Sequence, residues 1–98
     1  MENSFGQMIR SLRINKGLLL REASSLLNID VAILSKIENG RRSAPWDLIN
    51  RIADRYAVEI NDLIIAWHVD KISKQLKTEK NATEIIDILK VKFQDGTA

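Results

Sequence analysis

The chain has 98 residues, 45% of them apolar and 29% charged, the proportions of a globular domain rather than a disordered segment. That length suffices for one small core with an appendage. There is no cysteine, which excludes disulfides and thiolate metal sites. No apolar run approaches the roughly eighteen residues of a membrane span and no signal-peptide pattern opens the chain, so a cytoplasmic protein without a membrane partner is expected.

Taken in order, Asn3 or Ser4 can cap a first helix running to about Lys16. In it Phe5, Met8, Ile9 and Leu12 recur at steps of three and four, the inward stripe of an amphipathic helix. Gly17 ends it, and Leu18 and Leu19 enter the core. A second helix is expected over residues 20–27, with Ala23, Leu26 and Leu27 on one side. Asn28 accepts the left-handed backbone of a sharp turn, and Ile29 plugs inward. Asp30 caps a third helix over residues 31–39, which buries Leu34 and Ile37 and stops at Gly40. After the basic loop of Arg41, Arg42, Ser43 and Ala44, Pro45 suits the first position of a fourth helix. That helix turns Trp46, Ile49, Ile52, Ala53 and Tyr56 toward the core. Asn61 caps a fifth start, with Asp62 favourable in its first turn. No strand-like alternation of useful length occurs, so the chain is expected to be all-α.

Beyond Leu63, Ile65, Val69, Ile72 and Leu76 are spaced four, three, four, a coiled-coil-like seam. Lys77, Thr78, Glu79 and Lys80 interrupt it. Asn81 followed by Glu84 is a capping signature for a last helix. There Ala82, Ile86, Leu89 and Phe93 repeat the spacing, with Ile85 and Ile88 widening the stripe. Two matched stripes joined by a polar link predict a helical hairpin or two helices exchanged between subunits. So much aliphatic surface must pack either on the preceding part of the chain or on a second chain. The second chain is the favoured partner, which makes Ile65, Val69, Ile72, Leu76, Ile86, Leu89 and Phe93 the expected dimer interface. The plainer alternative is a tail that thickens the monomer core.

Two short helices with a tight turn between them, over residues 20–40, follow the plan of a helix-turn-helix, whose second helix enters the major groove of DNA. Charge distribution fits a nucleic-acid face in the same part. Residues 1–58 hold nine Lys+Arg against six Asp+Glu, while residues 59–98 hold six against seven, and all seven arginines lie in the first part. Arginine is the better ligand for phosphate and guanine.

Three strings carry a family resemblance: I-R-S-L-R-x-x-x-G-L from Ile9 to Leu18, L-S-K-I-E-N-G-R-R from Leu34 to Arg42, and I-A-D-x-Y-x-V from Ile52 to Val58. In this order and spacing the chain resembles the Cro/C1-type (XRE) family of DNA-binding repressors, over residues 5–63. The resemblance implies a five-helix lambda-repressor-like DNA-binding domain over residues 1–63, and residues 64–98 become a C-terminal helical extension for dimerisation. It implies a transcriptional regulator, of the phage-repressor or restriction–modification-controller kind, binding a palindromic operator as a homodimer. The chain departs from the family at three places. Leu20 stands where the family usually has a DNA-contacting Gln, Asn28 replaces the usual turn Gly, and Ala44 sits where Pro is common. The last two are conservative for the fold.

If Leu34 and Ile37 face inward, Val31, Ala32, Ser35 and Lys36 face out as base readers. Lys36 can donate to guanine O6 and N7, Ser35 can bond a base or a phosphate, and Val31 and Ala32 can touch a thymine methyl. So apolar a face implies discrimination by methyl contacts and DNA shape. For Val31 and Ile33 the alternative is packing on the first helix or a partner subunit. Asn39, Arg41 and Arg42 stand where the family touches the sugar-phosphate backbone, and Arg13 and Arg21 join them as backbone contacts. The resemblance also pairs Arg13 with Glu38 across the first and third helices, in a partly buried ion pair; the alternative is two solvated charges.

With a single histidine, His68, and no cysteine, no metal or nucleophilic site of recognised spacing can be assembled, and neither a cofactor nor an enzyme activity is expected. Asp62, Asp70, Glu84 and Asp87 read as solvated carboxylates, and Trp46 and Trp67 as core or interface anchors. The competing function is an antitoxin or anti-regulator whose C-terminal helices bind a different protein.

Overall fold

The computed structural model describes residues 4–96, so that Asn3, one of the two expected caps, lies outside the described residues. Six helices follow one another: α1 (Phe5–Asn15), α2 (Leu20–Leu27), α3 (Val31–Glu38), α4 (Trp46–Arg55), α5 (Ile60–Leu76) and α6 (Ala82–Gln94). No strand occurs among the described residues, and the fold is all-α as expected. No helix among them is long and apolar enough to cross a membrane.

Local chemistry sets the helix ends. Ser4 accepts the N–H of Gln7 at 3.1 Å to start α1. Asp30 accepts the N–H groups of Ala32 and Ile33, at 2.9 and 3.1 Å, to start α3. Five helices are followed by a left-handed residue, at Gly17, Asn28, Gly40, Ala57 and Gly96. At Gly40 the following N–H, of Arg41, reaches back to the Lys36 carbonyl at 2.8 Å, closing the last turn of α3. Ala57 holds the same conformation, at φ 53°, with a Cβ that disfavours it.

The core is built from Phe5 and Ile9 of α1, Ala23 and Leu27 of α2, Leu34 and Ile37 of α3, Leu48, Ile49 and Ile52 of α4 with Tyr56, and Leu63 and Ala66 of α5. Several expected inward residues stand elsewhere. Leu19 and Leu26 are exposed, because the buried direction of α2 is centred on Ala23 and Leu27 and its flank is taken by Ser24. The Ser24 hydroxyl donates to the Arg21 carbonyl and so enters the interior satisfied. Trp46, at the first position of α4, is half exposed, while Leu48 takes the core position. Its ring leans instead on Trp67 and His68 of α5, with centroids 5.0 and 5.6 Å away. Pro45 occupies the cap position of α4, one residue before the expected one.

Helix α5 is one unbroken element of 17 residues that runs through position 63. It starts one residue before Asn61, so that Glu59 rather than Asn61 caps it, accepting the Asn61 N–H at 3.3 Å. Similarly Asn81 precedes α6 but caps nothing with its side chain, and Glu79 accepts the Asn81 N–H at 3.1 Å. Close packing joins α1 to α3 and α5, α2 to α3 and α4, and α4 to α5. Helix α6 forms none of these close pairs and buries none of its residues. The result is elongated, 44 × 27 × 21 Å, with a radius of gyration of 15.4 Å. A compact chain of this length would have about 13 Å.

Gly6 is where α1 meets the end of α3. A Cβ there would collide with the Ile37 carbonyl oxygen and lie 2.9 Å from that of Glu38. Gly6→Ala therefore lowers stability by about 1–3 kcal/mol in urea titration, against the usual helical preference for Ala. Ala57→Gly relieves the left-handed strain and raises stability by about 1 kcal/mol in the same titration.

Candidate nucleic-acid interface

The inner face of α3 is consumed by Leu34 and Ile37, which leaves its outer face for a ligand. Val31, Ala32 and Lys36 are exposed, Val31 at 41%, and Ser35 is half-buried. Ile33 differs from them, being partly buried against the core. Asn39 lies one turn beyond Ser35, with its amide 3.5 Å from the Ser35 hydroxyl. Arg21, on α2, borders a shallow depression with Asn28 and Val31 at the start of α3. Arg41 and Arg42 are exposed immediately beyond its end. The expected base readers thus lie on the outward face of α3, with Arg21 beside its start and Arg41 and Arg42 following its end.

Three contacts fix α3 and its turn. The first is between Arg13 and Glu38: Nε donates to Oε2 and Nη2 to Oε1, both at 2.9 Å, while Nη1 donates to the Leu18 carbonyl at 3.0 Å. The side chains are 13% and 4% exposed, so the pair is largely withdrawn from water. The hydrogen bonds to Glu38 raise the Arg13 pKa above its ordinary value, with burial acting against them. Two N–H groups of the guanidinium are left over. Tyr56 packs nearby; burial first, and the Glu38 charge second, push its hydroxyl above the usual pKa, while Arg13 opposes.

The second contact went unread in the sequence. Arg51 of α4 donates through Nη1 to the carbonyls of Leu27 and Asn28, at 2.8 and 2.9 Å, and through Nη2 to Asp47 at 3.1 Å. It caps the end of α2 and holds the turn of the motif from outside. The Asp47–Arg51 spacing was the available signal, but nothing in it points to a carbonyl some two dozen residues upstream. The third contact is Trp67, whose Nε1 donates to the Ala44 carbonyl at 2.9 Å and ties the loop after α3 to α5. Asp70, expected to be solvated, instead accepts the Phe5 N–H at 2.8 Å and satisfies the first free donor of α1.

Two short helices set by a left-handed turn, the second presented outward with its ends flanked by cations, are a helix-turn-helix of the DNA-binding class. The family model described as a helix-turn-helix domain matches residues 4–63, and the chain belongs to that family, in agreement with the Cro/C1-type (XRE) resemblance. One relative is the HTH-type transcriptional regulator DdrOP3 of Deinococcus deserti, 29% identical over 58 residues, which are 59% of this chain and 45% of that protein. The chain therefore matches less than half the length of this relative. No solved structure matches the chain.

Glu38→Ala strands the Arg13 guanidinium in a nearly closed site and lowers stability by about 3–5 kcal/mol. The double variant Arg13→Met with Glu38→Leu loses much less, because neither charge is left buried alone. Thermal and urea denaturation of both variants check this; a single-variant loss below about 1 kcal/mol would mark the pair as solvated.

Proposed function

We propose that the protein is a sequence-specific, double-stranded-DNA-binding transcriptional regulator that acts as a homodimer on a palindromic operator and represses by occluding the promoter. The observation that carries this reading is the outer face of α3: Val31, Ala32 and Lys36 free of the core, Ser35 beside them, with cations at both ends. Lys36 and Ser35 supply the polar base contacts, and Val31 and Ala32 supply methyl contacts to thymine. Arg21, Asn39, Arg41 and Arg42 hold the sugar-phosphate backbone, and Arg13 adds what its two uncommitted N–H groups reach. Transcriptional regulation is supported by the family and by the name of the Deinococcus relative.

Self-association is supported by the second half of the chain. Ile65, Val69 and Ile72 of α5 lie exposed on the side away from the core, and Leu76 continues their line half-buried. Ile86, Leu89 and Phe93 of α6 are exposed as well, Phe93 at 71%. A lone chain in water would leave this surface wet, and a second copy with the same stripes covers it. Residues 1–63 are then the DNA-binding domain and residues 64–98 the dimerisation extension. Two copies would place their recognition helices about 34 Å apart, one turn of duplex.

Selection of bound sequences from random DNA returns one half-site repeated in inverted orientation, with centres about 10–10.5 base pairs apart or a multiple of that. A single unrepeated site, or no enrichment, removes the proposed dimeric reader. Arg41→Ala weakens binding to all sequences alike and lowers the salt slope by about 1; a loss confined to one operator base contradicts its backbone role. Light scattering at micromolar concentration gives a dimer for the wild type and a monomer for Ile72→Asp with Phe93→Asp. A monomeric wild type would turn the exposed stripes toward a different protein partner, as the antitoxin or anti-regulator reading requires.

A further inference from the structure

Where the core ends, the inward face of α5 changes character. Leu63, Ala66 and Trp67 face the other helices in its first half. On the same side stand Lys71 and Lys74 of its second half and Lys77 at its C-cap, all exposed. These lysines form one wall of a groove of about 440 Å³, opposite Gly40, Arg42 and Ser43 of the loop that leaves α3. The start of α1 closes the groove from a third direction. We propose that this groove is a second backbone track, in which Lys71, Lys74 and Lys77 hold the phosphates of duplex DNA beyond the half-site read by α3. The proposal rests on the DNA-binding reading above and extends it to residues outside the family domain.

The charge in the groove is one-sided. Four cations, Arg42 and the three lysines, face a single carboxylate, that of Asp70. Asp70 is already engaged by the Phe5 N–H at 2.8 Å, so it does not neutralise the lysines. None of the three lysines enters an ion pair with a described residue. The Lys71 Nζ lies 4.9 Å above the Trp67 ring, a cation–π contact that steadies the ammonium without neutralising its charge.

The geometry selects a strand of phosphates over a small anion. Lys71, Lys74 and Lys77 advance about 4.5 Å per step along the helix, so their points of attachment span about 9 Å of its axis. A small anion would be gripped from several sides at one point, whereas a line of cations follows a polyanion. Arg42 gives the line its direction, because it belongs both to the groove and to the loop after the recognition helix. A backbone that reaches Arg42 is led onto α5. The apolar seam of Ile65, Val69 and Ile72 occupies the other side of the same helix, so a second copy and a DNA strand would not compete for it.

The test uses the full chain and a random-sequence duplex of about 30 base pairs, three turns of DNA. Binding is followed by fluorescence anisotropy over a salt series. The triple variant Lys71→Gln, Lys74→Gln and Lys77→Gln is compared with a control, Lys80→Gln with Lys90→Gln, that removes charge away from the groove. The lysine variant keeps its helix content and melting temperature. Its plot of log K against log salt becomes shallower by roughly 0.9 for each lysine engaged, roughly 2–3 in all, beyond any change in the control. A change per charge no greater than that of the control overturns the groove. If Arg41→Ala weakens binding in the same assay while the lysine variant does not, the groove falls and the DNA-binding reading stands. If the wild type binds neither this duplex nor selected sequences, both fall together.

Discussion

An eight-residue helix has almost no stability of its own in water, so the placement of α3 is decided by what grips it. Its inner face contributes Leu34 and Ile37 to the core, but two side chains alone would let it roll. The last turn is where rolling is stopped. Gly6 lets the α1 backbone come against the carbonyls of Ile37 and Glu38, and the two-pronged contact of Arg13 with Glu38 locks the same turn from further along α1. At the other end Asp30 satisfies two of the free N–H groups, and Arg51 holds the carbonyls of the preceding turn. Rigidity at the outer face is therefore imported from α1 and α4.

Helix α5 serves as the connector between this platform and the rest of the chain. It closes the core with Leu63 and Ala66, fixes the loop after α3 through Trp67 and Ala44, and caps α1 through Asp70. These three ties come from successive turns of one side of the helix. Its other side is left to Ile65, Val69 and Ile72, which touch no core. A helix buried on one side and apolar on the other is built for two partners. On the proposed reading the second is another copy, and any change in how the copies meet is transmitted to the DNA face through a rigid rod.

The helices themselves were largely legible in the sequence. The limits of α2 coincide with the expected ones, because Asn28 and Asp30 mark a turn whose chemistry is local. Stripe reading did less well where a helix touches two neighbours at once. Leu26 and Trp46 have the right spacing for the core, yet lie on flanks of it, Leu26 exposed and Trp46 half covered by the rings of Trp67 and His68. Leu48 breaks the expected stripe and is buried. Contacts between distant segments were beyond reach of periodicity. Asp70 reads as one more surface carboxylate until α5 is laid against the start of α1, and Arg51 as half of a helix-surface pair until α4 is laid against α2. Charge counting drew attention to the arginine-bearing first part, and the position of Lys71, Lys74 and Lys77 beside Arg42 exists only in the fold.

The composition of the outer face sets how accurately it must be held. Val31 and Ala32 have no hydrogen bond to offer, and Leu20 occupies the place where the family usually carries a polar contact. A long polar side chain can bend to meet a displaced base. A methyl-to-methyl contact cannot, since dispersion loses a quarter to a half of its strength over a gap of about 0.5–1 Å. A reader that relies on such contacts must have its helix fixed to within that tolerance, and must draw most of its affinity from charges that bind every sequence alike. Both requirements are answered by the same part of the fold. Arg13, Glu38 and Arg51 spend most of their polar groups inside the protein to fix α3 and its turn, while Arg21, Arg41 and Arg42 stay exposed and, on the proposed reading, meet the phosphates. The division between cations that hold the scaffold and cations that face solvent is thus the counterpart of an apolar reading face.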